Sequence, residues 1–224
     1  MTGDDSLQVI MDRHCKRAFL DNAVPHGLLA DVLRAAGHAP SNRNTQLWQV
    51  TVVTGRSLEA LVRRLREAFD RGEPVSPDYR NRPPALDPAA ERRARSAGTG
   101  VLRAKGVAVA DDLARRAHLR DNLGFYGAPV ALVCHLPANA VPGTFLELGC
   151  FLQNMMLGLV ARGLGSCPQF SVARYADILR KELGIPEDRL IACTVSAGYP
   201  DEAAPVNRFV PPRARLEEYT QWHT

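Results

Sequence analysis

Apolar residues recur along the chain with two different periods, which distinguish predicted helices from predicted strands. A spacing of three to four residues predicts helices, which fall in chain order at 7–17, 28–36, 58–69, 144–162, 173–183 and 216–223. Apolar runs between turn residues predict strands at 49–54, 128–136 and 190–196. Because the strands are few and alternate with helices, the pattern predicts an α+β fold in which helices pack on a small sheet.

The helix predicted at 144–162 differs from the others because it is apolar on nearly every side. A helix of this kind is expected to be central, either against the sheet or in an interface between subunits. Its adjacent Met155 and Met156 favour core packing over a soft ligand surface. The pattern therefore places this helix at the centre of the fold.

Residues 72–100 interrupt the regular pattern with five prolines and many charged side chains. This composition predicts a surface insertion that is partly helical near Glu91 and is the most mobile part of the chain. The total length of 224 residues is typical of one domain, so we expect a single domain over 1–224 that carries this insertion.

Composition and charge exclude several classes of protein. The chain is 46% hydrophobic and 23% charged with a net charge of +4, which is ordinary for a globular protein and weak for a nucleic-acid binder. It lacks an uninterrupted apolar run of membrane-spanning length and a secretion signal, so we expect a cytoplasmic protein that binds no membrane. Five cysteines without a C-x-x-C pair predict reduced thiols, and six histidines without ligand spacing make a protein-bound metal unexpected.

Several familiar catalytic motifs are missing from the sequence. The Gly163-Leu164-Gly165 segment ends a predicted helix, whereas a dinucleotide fingerprint begins one. There is no G-x-x-x-x-G-K-[S/T] phosphate loop and no G-x-S-x-G nucleophile elbow. By elimination, catalysis is expected to come from a bound organic cofactor.

Two basic clusters and one polar run are candidates for binding such a cofactor. Arginine forks at 13–17 and 213–215 could converge on a phosphate, although spacing alone favours two solvated charge clusters. The polar run at 41–46 suits hydrogen bonding to the edge of a heterocycle, but it could also be an ordinary loop between a helix and a strand.

Together these segments resemble a known family. RHCKRAF at 13–19 and APSNRNTQLW at 39–48 are followed by Gly-Leu-Gly at 163–165 with Pro168, by Gly-Tyr-Pro at 198–200, and by a closing basic pair. In this order they resemble the nitroreductase family of FMN-dependent homodimers. The proline-rich insertion, with APV at 128–130 and PVNR at 205–208, resembles the branch that includes nitrobenzoate reductases. The resemblance implies a central, mostly antiparallel mixed sheet flanked by helices, in an intertwined homodimer.

The resemblance also implies roles for individual residues. Those that would hold the FMN phosphate and the O2/N1 edge of the flavin are Arg13, His14, Cys15, Arg17, Arg213 and Arg215. Those that would reach the flavin bound mainly to the other subunit are Pro40, Ser41, Asn42, Asn44 and Gln46. Those that would lie along the isoalloxazine near N5 are Cys167, Pro168, Gln169, Phe170 and Ser171, with Asn122 at the pyrimidine edge.

Two of these positions depart from the family pattern. Cys15 stands where the family usually has serine, so a hydroxyl bond to the phosphate is lost or replaced by a backbone one. Phe170 stands where some branches have glutamate. Its backbone N–H is retained, but its ring would narrow the substrate slot or stack on the substrate, which makes Phe170 the candidate catalytic residue.

The activity implied by the resemblance is that of an FMN-dependent NAD(P)H oxidoreductase. NAD(P)H would be the co-substrate, and two electrons would pass by a ping-pong mechanism to a nitroaromatic or related small conjugated acceptor. The same scaffold also supports enone reductases, dehalogenases, and oxidases or dehydrogenases. A non-catalytic flavin-binding protein and a basic nucleic-acid module remain alternatives from other classes.

Overall fold

The computed structural model describes residues 3–224 of the chain, so Met1 and Thr2 of the expected domain lie outside the described residues. The helices are α1 Gly3–Asp12, α2 His26–Ala36, α3 Gly55–Asp70, α4 Pro88–Ala104, α5 Asp112–Leu123, α6 Pro142–Ala161, α7 Phe170–Ala173, α8 Ala176–Leu183 and α9 Pro205–Arg208. The strands are β1 Gln49–Thr54, β2 Val130–Pro137, β3 Gly165–Gln169 and β4 Arg189–Gly198.

The strands form one antiparallel sheet in the order β1-β2-β4-β3. The register pairs Gln49 with His135 and Val130 with Ala197, and a bulge lies between Cys134 and His135. The predicted α+β class and mostly antiparallel sheet are therefore confirmed, with the two most apolar strands, β2 and β4, at the centre of the sheet.

Hydrophobic side chains fill both faces of this sheet, which explains the continuous apolar run of β2. Leu132 and Leu136 of β2 face a core shared with α2 and α6, whereas Ala131 and Val133 face a second core shared with α3 and α8. Because successive side chains of a strand point to opposite faces, a strand covered on both sides must be apolar at every position.

Helix α6 lies across one face of the sheet, as its composition predicts. It buries Leu148, Phe151, Met155 and Leu159, and leaves Leu146 of its opposite face 74% exposed. Its length and hydropathy would also suffice for a membrane-spanning helix, a property shared by core helices of globular proteins. The helix thus has a packed face and an opposite side on which Leu146 stays exposed in the described chain.

Three predictions from the pattern were wrong in detail. The helix predicted at 7–17 ends at Asp12, and the chain after it is extended, with Cys15 and Phe19 in β-bridges. The segment Gly165–Gln169 forms strand β3, although Pro168 and the lack of alternation gave no strand signal. Proline is tolerated there because β3 pairs only with β4 within the sheet, at its edge. The helix predicted at 216–223 is reduced to one 3₁₀ turn, Leu216–Glu218.

The insertion is more ordered than its composition suggested. Helix α4 occupies much of it, and Asp87 caps that helix by accepting hydrogen bonds from two backbone N–H groups at 2.8 Å. The start of the insertion is fastened to β4, because Asp78 accepts from the Ile191 N–H at 2.6 Å and Tyr79 donates to the Ala192 carbonyl at 2.7 Å. The helical prediction near Glu91 is confirmed and extends over the whole of α4.

The buried His135 makes stability depend on pH. Arg189 Nε donates to Nδ1 at 3.1 Å, so the ring proton lies on Nε2, 3.2 Å from Thr51 Oγ1. Burial and the Arg189 charge lower the pKa of His135 from 6.5 to about 4. Below pH 6.5 the unfolded chain therefore protonates His135, whereas the folded protein keeps the ring neutral until about pH 4. The free energy of unfolding falls as the pH drops from 6.5 towards 4.

We expect this histidine to contribute a loss of about 3 kcal/mol in the free energy of unfolding between pH 7 and pH 4. His135→Gln, which keeps a neutral donor and acceptor, should lose less stability than the wild type over this range. Urea unfolding at several pH values measures the difference, and the exposed His38→Gln is the control. Parallel pH profiles for wild type and His135→Gln would contradict the assignment.

Candidate functional site

The segment that follows α1 runs alongside β3 and brings the N-terminal basic cluster to the sheet. Cys15 pairs with Ser166 in a parallel bridge, and the Lys16 N–H donates to the Ser166 carbonyl at 3.0 Å. Phe19 forms a second bridge with Pro200. These backbone contacts place the predicted phosphate-binding residues beside the predicted flavin-facing strand.

Asn207 in α9 holds this segment in place. It is fully buried, its Oδ1 accepts from the Arg17 N–H at 2.6 Å, and its Nδ2 donates to the carbonyls of Ala18 and Asp201 at 2.7 and 2.9 Å. Its own carbonyl lies 2.8 Å from His14 Nε2. The sequence contained PVNR as part of the family resemblance but gave no signal for this role.

Arg17 is the centre of a cluster of polar side chains. Its guanidinium faces the thiols of Cys15 and Cys167 and the Tyr126 hydroxyl, and its Nη1 lies 3.5 Å from the Cys15 carbonyl. Burial opposes its charge, but the two sulfurs and the phenol oxygen raise the pKa of Arg17 above its ordinary value. A permanent positive charge is therefore held in a partly buried position.

Tyr126 was missed by the sequence reasoning and lies next to Asn122. Asn122 Nδ2 lies 2.5 Å from the Tyr126 hydroxyl, while Asn122 Oδ1 accepts from Ser171 Oγ at 2.6 Å and from Gln169 Nε2 at 3.1 Å. The structure thus joins three of the predicted flavin residues in one network. Because the Tyr126 oxygen accepts from Asn122 and faces the Arg17 guanidinium, its own O–H is left to donate to a ligand.

Two buried polar atoms in this region have no partner in the described chain. They are the Oε1 of Gln169, a residue only 2% exposed, and the Oγ of Ser166, also on β3. Leaving a buried acceptor unpaired costs about 1–3 kcal/mol, so these atoms fit a site that is completed by a polar ligand. The donor and acceptor set suits a polar heterocycle with an adjacent anion.

Backbone strain marks two loops of the described chain. Non-glycine residues with positive φ are Arg43, Asn44, Gln46, Phe125 and Tyr126. Such conformations are uncommon for residues with a side chain and concentrate at functional sites. One loop is the predicted polar run, and the other presents Tyr126, where the flanking Gly124 and Gly127 were the signal available in the sequence.

The polar loop lies away from the Arg17 cluster. The Asn42 N–H donates to Glu147 of α6 at 2.9 Å, the Gln46 N–H donates to Ser41 Oγ at 3.1 Å, and Gln46 Nε2 donates to Asn44 Oδ1 at 2.9 Å. Pro40 begins this loop and is exposed. Within one chain, therefore, the loop presents unused amide groups to the outside.

The C-terminal arginines are also separate from the cluster. Arg213 Nη1 lies 3.4 Å from the Pro211 carbonyl, and Arg215 is paired with Glu217 at 3.6 Å on the surface. The tail instead contacts α4, where Glu218 meets Arg93 at 3.2 Å. One chain does not bring its tail arginines to Arg17.

The other N-terminal and β3 residues occupy distinct places. Arg13 faces the Cys15 thiol, whereas both ring nitrogens of His14 lie 2.8 Å from backbone carbonyls and so contact the protein itself. Pro168 is half-buried in β3. Phe170 begins α7 with 44% of its surface exposed, at a shallow cleft lined also by residues 77–79 of the insertion.

This chain is similar in sequence to known proteins over most of its length. The Nitroreductase family model matches residues 10–199. The chain is 35% identical to a chloronitrobenzene nitroreductase of Comamonas testosteroni, covering 95% of this chain and 94% of the relative. It is 32% identical to a 4-nitrobenzoate reductase of Pseudomonas putida, covering 98% and 96%.

This chain also has the same fold as a solved nitroreductase structure. The FMN-dependent nitroreductase NfnB from Mycobacterium smegmatis, in complex with NADPH, superposes with a TM-score of 0.94 at 33% identity, covering 99% of each chain. The family match, the sequence relatives and the shared fold all extend over most of the chain. This protein belongs to the nitroreductase family.

Proposed function

We propose that this protein is an FMN-dependent NAD(P)H oxidoreductase that passes two electrons by a ping-pong mechanism to a nitroaromatic or related conjugated acceptor. The observation that carries the proposal is the network of Arg17, Tyr126, Asn122 and Gln169, which contains an unpaired acceptor and a free hydroxyl donor. Relatives named as nitroreductases and an NfnB structure with NADPH support the choice of reaction.

The residues present fit FMN. Arg13 and Arg17 supply the positive charge of the cluster and, with Cys15 between them, would hold the phosphate and the O2/N1 edge. The Gln169 Oε1 acceptor and the Tyr126 O–H donor suit the hydrogen-bonding edge of the flavin ring. When bound, FMN supplies reversible two-electron chemistry between the nicotinamide and the acceptor.

The chain's own side chains would orient the cofactor and set the local charge. Asn122 is held by Ser171 and Gln169, so its amide group has one orientation. Arg17 keeps its charge throughout the pH range of the reaction and would stabilise negative charge on the flavin. Phe170 would limit which acceptors reach the site from the exposed side.

We further infer that the active form is a homodimer built from single-domain chains. Apolar residues of α6 and of the tail are exposed in one chain, with Trp222 80% exposed. Strand β1 has a free edge beside a groove of about 830 Å³ that runs between α2 and α3. Pairing of two chains would cover these surfaces and would bring the polar loop and the tail arginines of one subunit towards the site of the other.

Absorption spectroscopy tests the proposed function directly. Purified protein should carry a flavin spectrum that bleaches under anaerobic NADPH or NADH and returns on addition of a nitroarene. Double-reciprocal plots of initial rate against nicotinamide concentration, measured at several fixed acceptor concentrations, should be parallel lines, as ping-pong kinetics require. A flavin that no nicotinamide bleaches would indicate an oxidase or a binding protein, and colourless protein that does not bind added FMN would overturn the proposal.

Phe170→Ala should change the choice of acceptor while leaving the flavin content unchanged. An aromatic contact contributes about 1 kcal/mol, so the ratio of kcat/KM between bulky and small acceptors should change about fivefold. Leu113→Ala, at an exposed position on α5, is the control. Equal ratios in Phe170→Ala and wild type would remove Phe170 from the substrate slot.

Mixed dimers test whether the tail completes the partner's site. Arg213→Ala/Arg215→Ala should weaken FMN binding about tenfold, because two charged contacts to phosphate are lost. When this double-mutant chain is co-expressed with an Arg17→Ala chain, about a quarter of all FMN sites should bind with wild-type affinity. Half of the randomly formed dimers are mixed, and each mixed dimer has one intact site out of two. If no strong FMN sites were restored, the tail arginines would contribute to the site of their own chain or to no site at all.

A further inference from the structure

Two cysteines from distant parts of the sequence meet inside the proposed cofactor site. The parallel bridge between Cys15 and Ser166 places Cys15 beside Cys167, the next residue of β3. The Cys167 thiol lies beside the Cys15 sulfur, and both thiols are free. Arg17 faces both sulfurs, while Arg13 also contacts Cys15.

The surroundings give the two sulfurs different chemical characters. The neighbouring Cys167 thiol lowers the pKa of Cys15 against the effect of burial, and the charges of Arg17 and Arg13 lower it further. The Cys15 sulfur, together with burial, raises the pKa of Cys167 well above its ordinary value. The pair therefore combines one sulfur whose thiolate form is favoured with one neighbouring thiol, the arrangement of an oxidisable dithiol.

The remaining cysteines lack this arrangement. Burial raises the pKa of Cys193 to about 12, and it also raises that of Cys134. Both therefore remain thiols within the core. Cys150 is exposed on α6 and provides a control for non-specific oxidation.

We propose that Cys15 and Cys167 form a peroxide-oxidisable pair in the cofactor site, and that bound FMN protects the pair from oxidation. The Cys15 thiolate attacks hydrogen peroxide, the O–O bond breaks, and a sulfenic acid and, after protonation, water are formed. The Cys167 thiol then displaces the sulfenic oxygen as a second water and forms the disulfide. Overall, two thiols lose two electrons and two protons, and one peroxide is reduced to two waters.

Protection by FMN follows from charge, and this part rests on the proposed function. A phosphate held by Arg13 and Arg17 would lie beside the Cys15 sulfur, where its negative charge disfavours the thiolate. At a pH below the pKa of a thiol, a rise of one unit in that pKa reduces the thiolate fraction about tenfold. Because binding and oxidation are linked, a disulfide that removes the Cys15 thiol from the site should in turn weaken FMN binding.

The test compares the full chain with and without FMN during treatment with hydrogen peroxide. In the FMN-free chain, two of the five free thiols should be lost, and peptide mapping should identify a Cys15–Cys167 disulfide that dithiothreitol reverses. Saturating FMN should slow this loss, by up to about tenfold for each unit by which the pKa of Cys15 rises. Cys167→Ser should stop at a Cys15 sulfenic acid that dimedone traps, whereas Cys150→Ser should behave as wild type.

Retention of all five thiols in the FMN-free chain, or oxidation at the same rate with FMN bound, would overturn the proposal. Flavin fluorescence quenching with the reduced protein is measured in parallel. If FMN is quenched normally but no disulfide forms, the thiol pair is refuted and the proposed function is not. If the reduced chain fails to bind FMN, the proposed function is refuted as well.

Discussion

Arg17→Ala should raise the Kd for FMN about 100-fold. The guanidinium faces the Cys15 and Cys167 sulfurs and the Tyr126 oxygen, and it is the charged centre of the candidate site. Hydrogen bonds to charged groups contribute about 1.5–3 kcal/mol, and 2.7 kcal/mol corresponds to the expected change in Kd. Fluorescence titration of FMN into the flavin-free chain measures this constant.

Two further variants define what the loss means. Arg17→Lys keeps the charge but not the planar fork, so it should recover part of the affinity. Arg63→Ala removes an exposed arginine of α3 and should leave Kd unchanged. If Arg17→Ala bound FMN as tightly as Arg63→Ala, with an unchanged melting temperature, the placement of the cofactor beside Arg17 would be wrong.

Asn207→Ala should lower the free energy of unfolding by about 3 kcal/mol and also weaken FMN binding. Its side chain makes hydrogen bonds of 2.6, 2.7 and 2.9 Å that join α9 to the segment carrying Arg17. Removing it leaves a backbone N–H and two carbonyls without their partner. For a chain of this size, the loss corresponds to a decrease in Tm of about 6–12 °C.

A conservative replacement separates positioning from general destabilisation. Asn207→Asp keeps the acceptor for the Arg17 N–H but has no donors for the two carbonyls, so it should remain destabilised. Asn139→Ala, at an exposed position, should change neither Tm nor FMN affinity. A stable Asn207→Ala protein with normal FMN binding would show that α9 does not position the N-terminal segment.

The parts of the fold that could be predicted from sequence are those with strong local patterns. Strands β2 and β4 were found because their apolar runs are buried on both faces, and α6 because its composition suits a central helix. Strand β3 was missed because Gly165–Gln169 owes its conformation to pairing with β4. A strand specified by a partner distant in the sequence carries no periodic signal of its own.

The residues of the candidate site, like the strands, could be predicted only where a local motif marks them. Arg13, Cys15 and Arg17 were found through a motif in consecutive residues, and the structure brings them to Gln169 through a parallel bridge. Tyr126 and Asn207 were not assigned, because their roles depend on hydrogen bonds to residues far away in the sequence. The roles of the polar loop and the tail arginines stay predictions that require the second subunit.

By itself, the sequence determined the family, the helices and central strands, and the residue types available to hold an anionic heterocycle. Local periodicity and short motifs suffice for these because they depend on neighbouring residues. Only the tertiary structure decided that the Cys15 and Cys167 thiols lie together, that Asn207 fastens the basic segment, and that Gln169 keeps an unpaired buried acceptor. Those features arise from contacts between distant segments, which close packing of the whole chain produces and no local pattern contains.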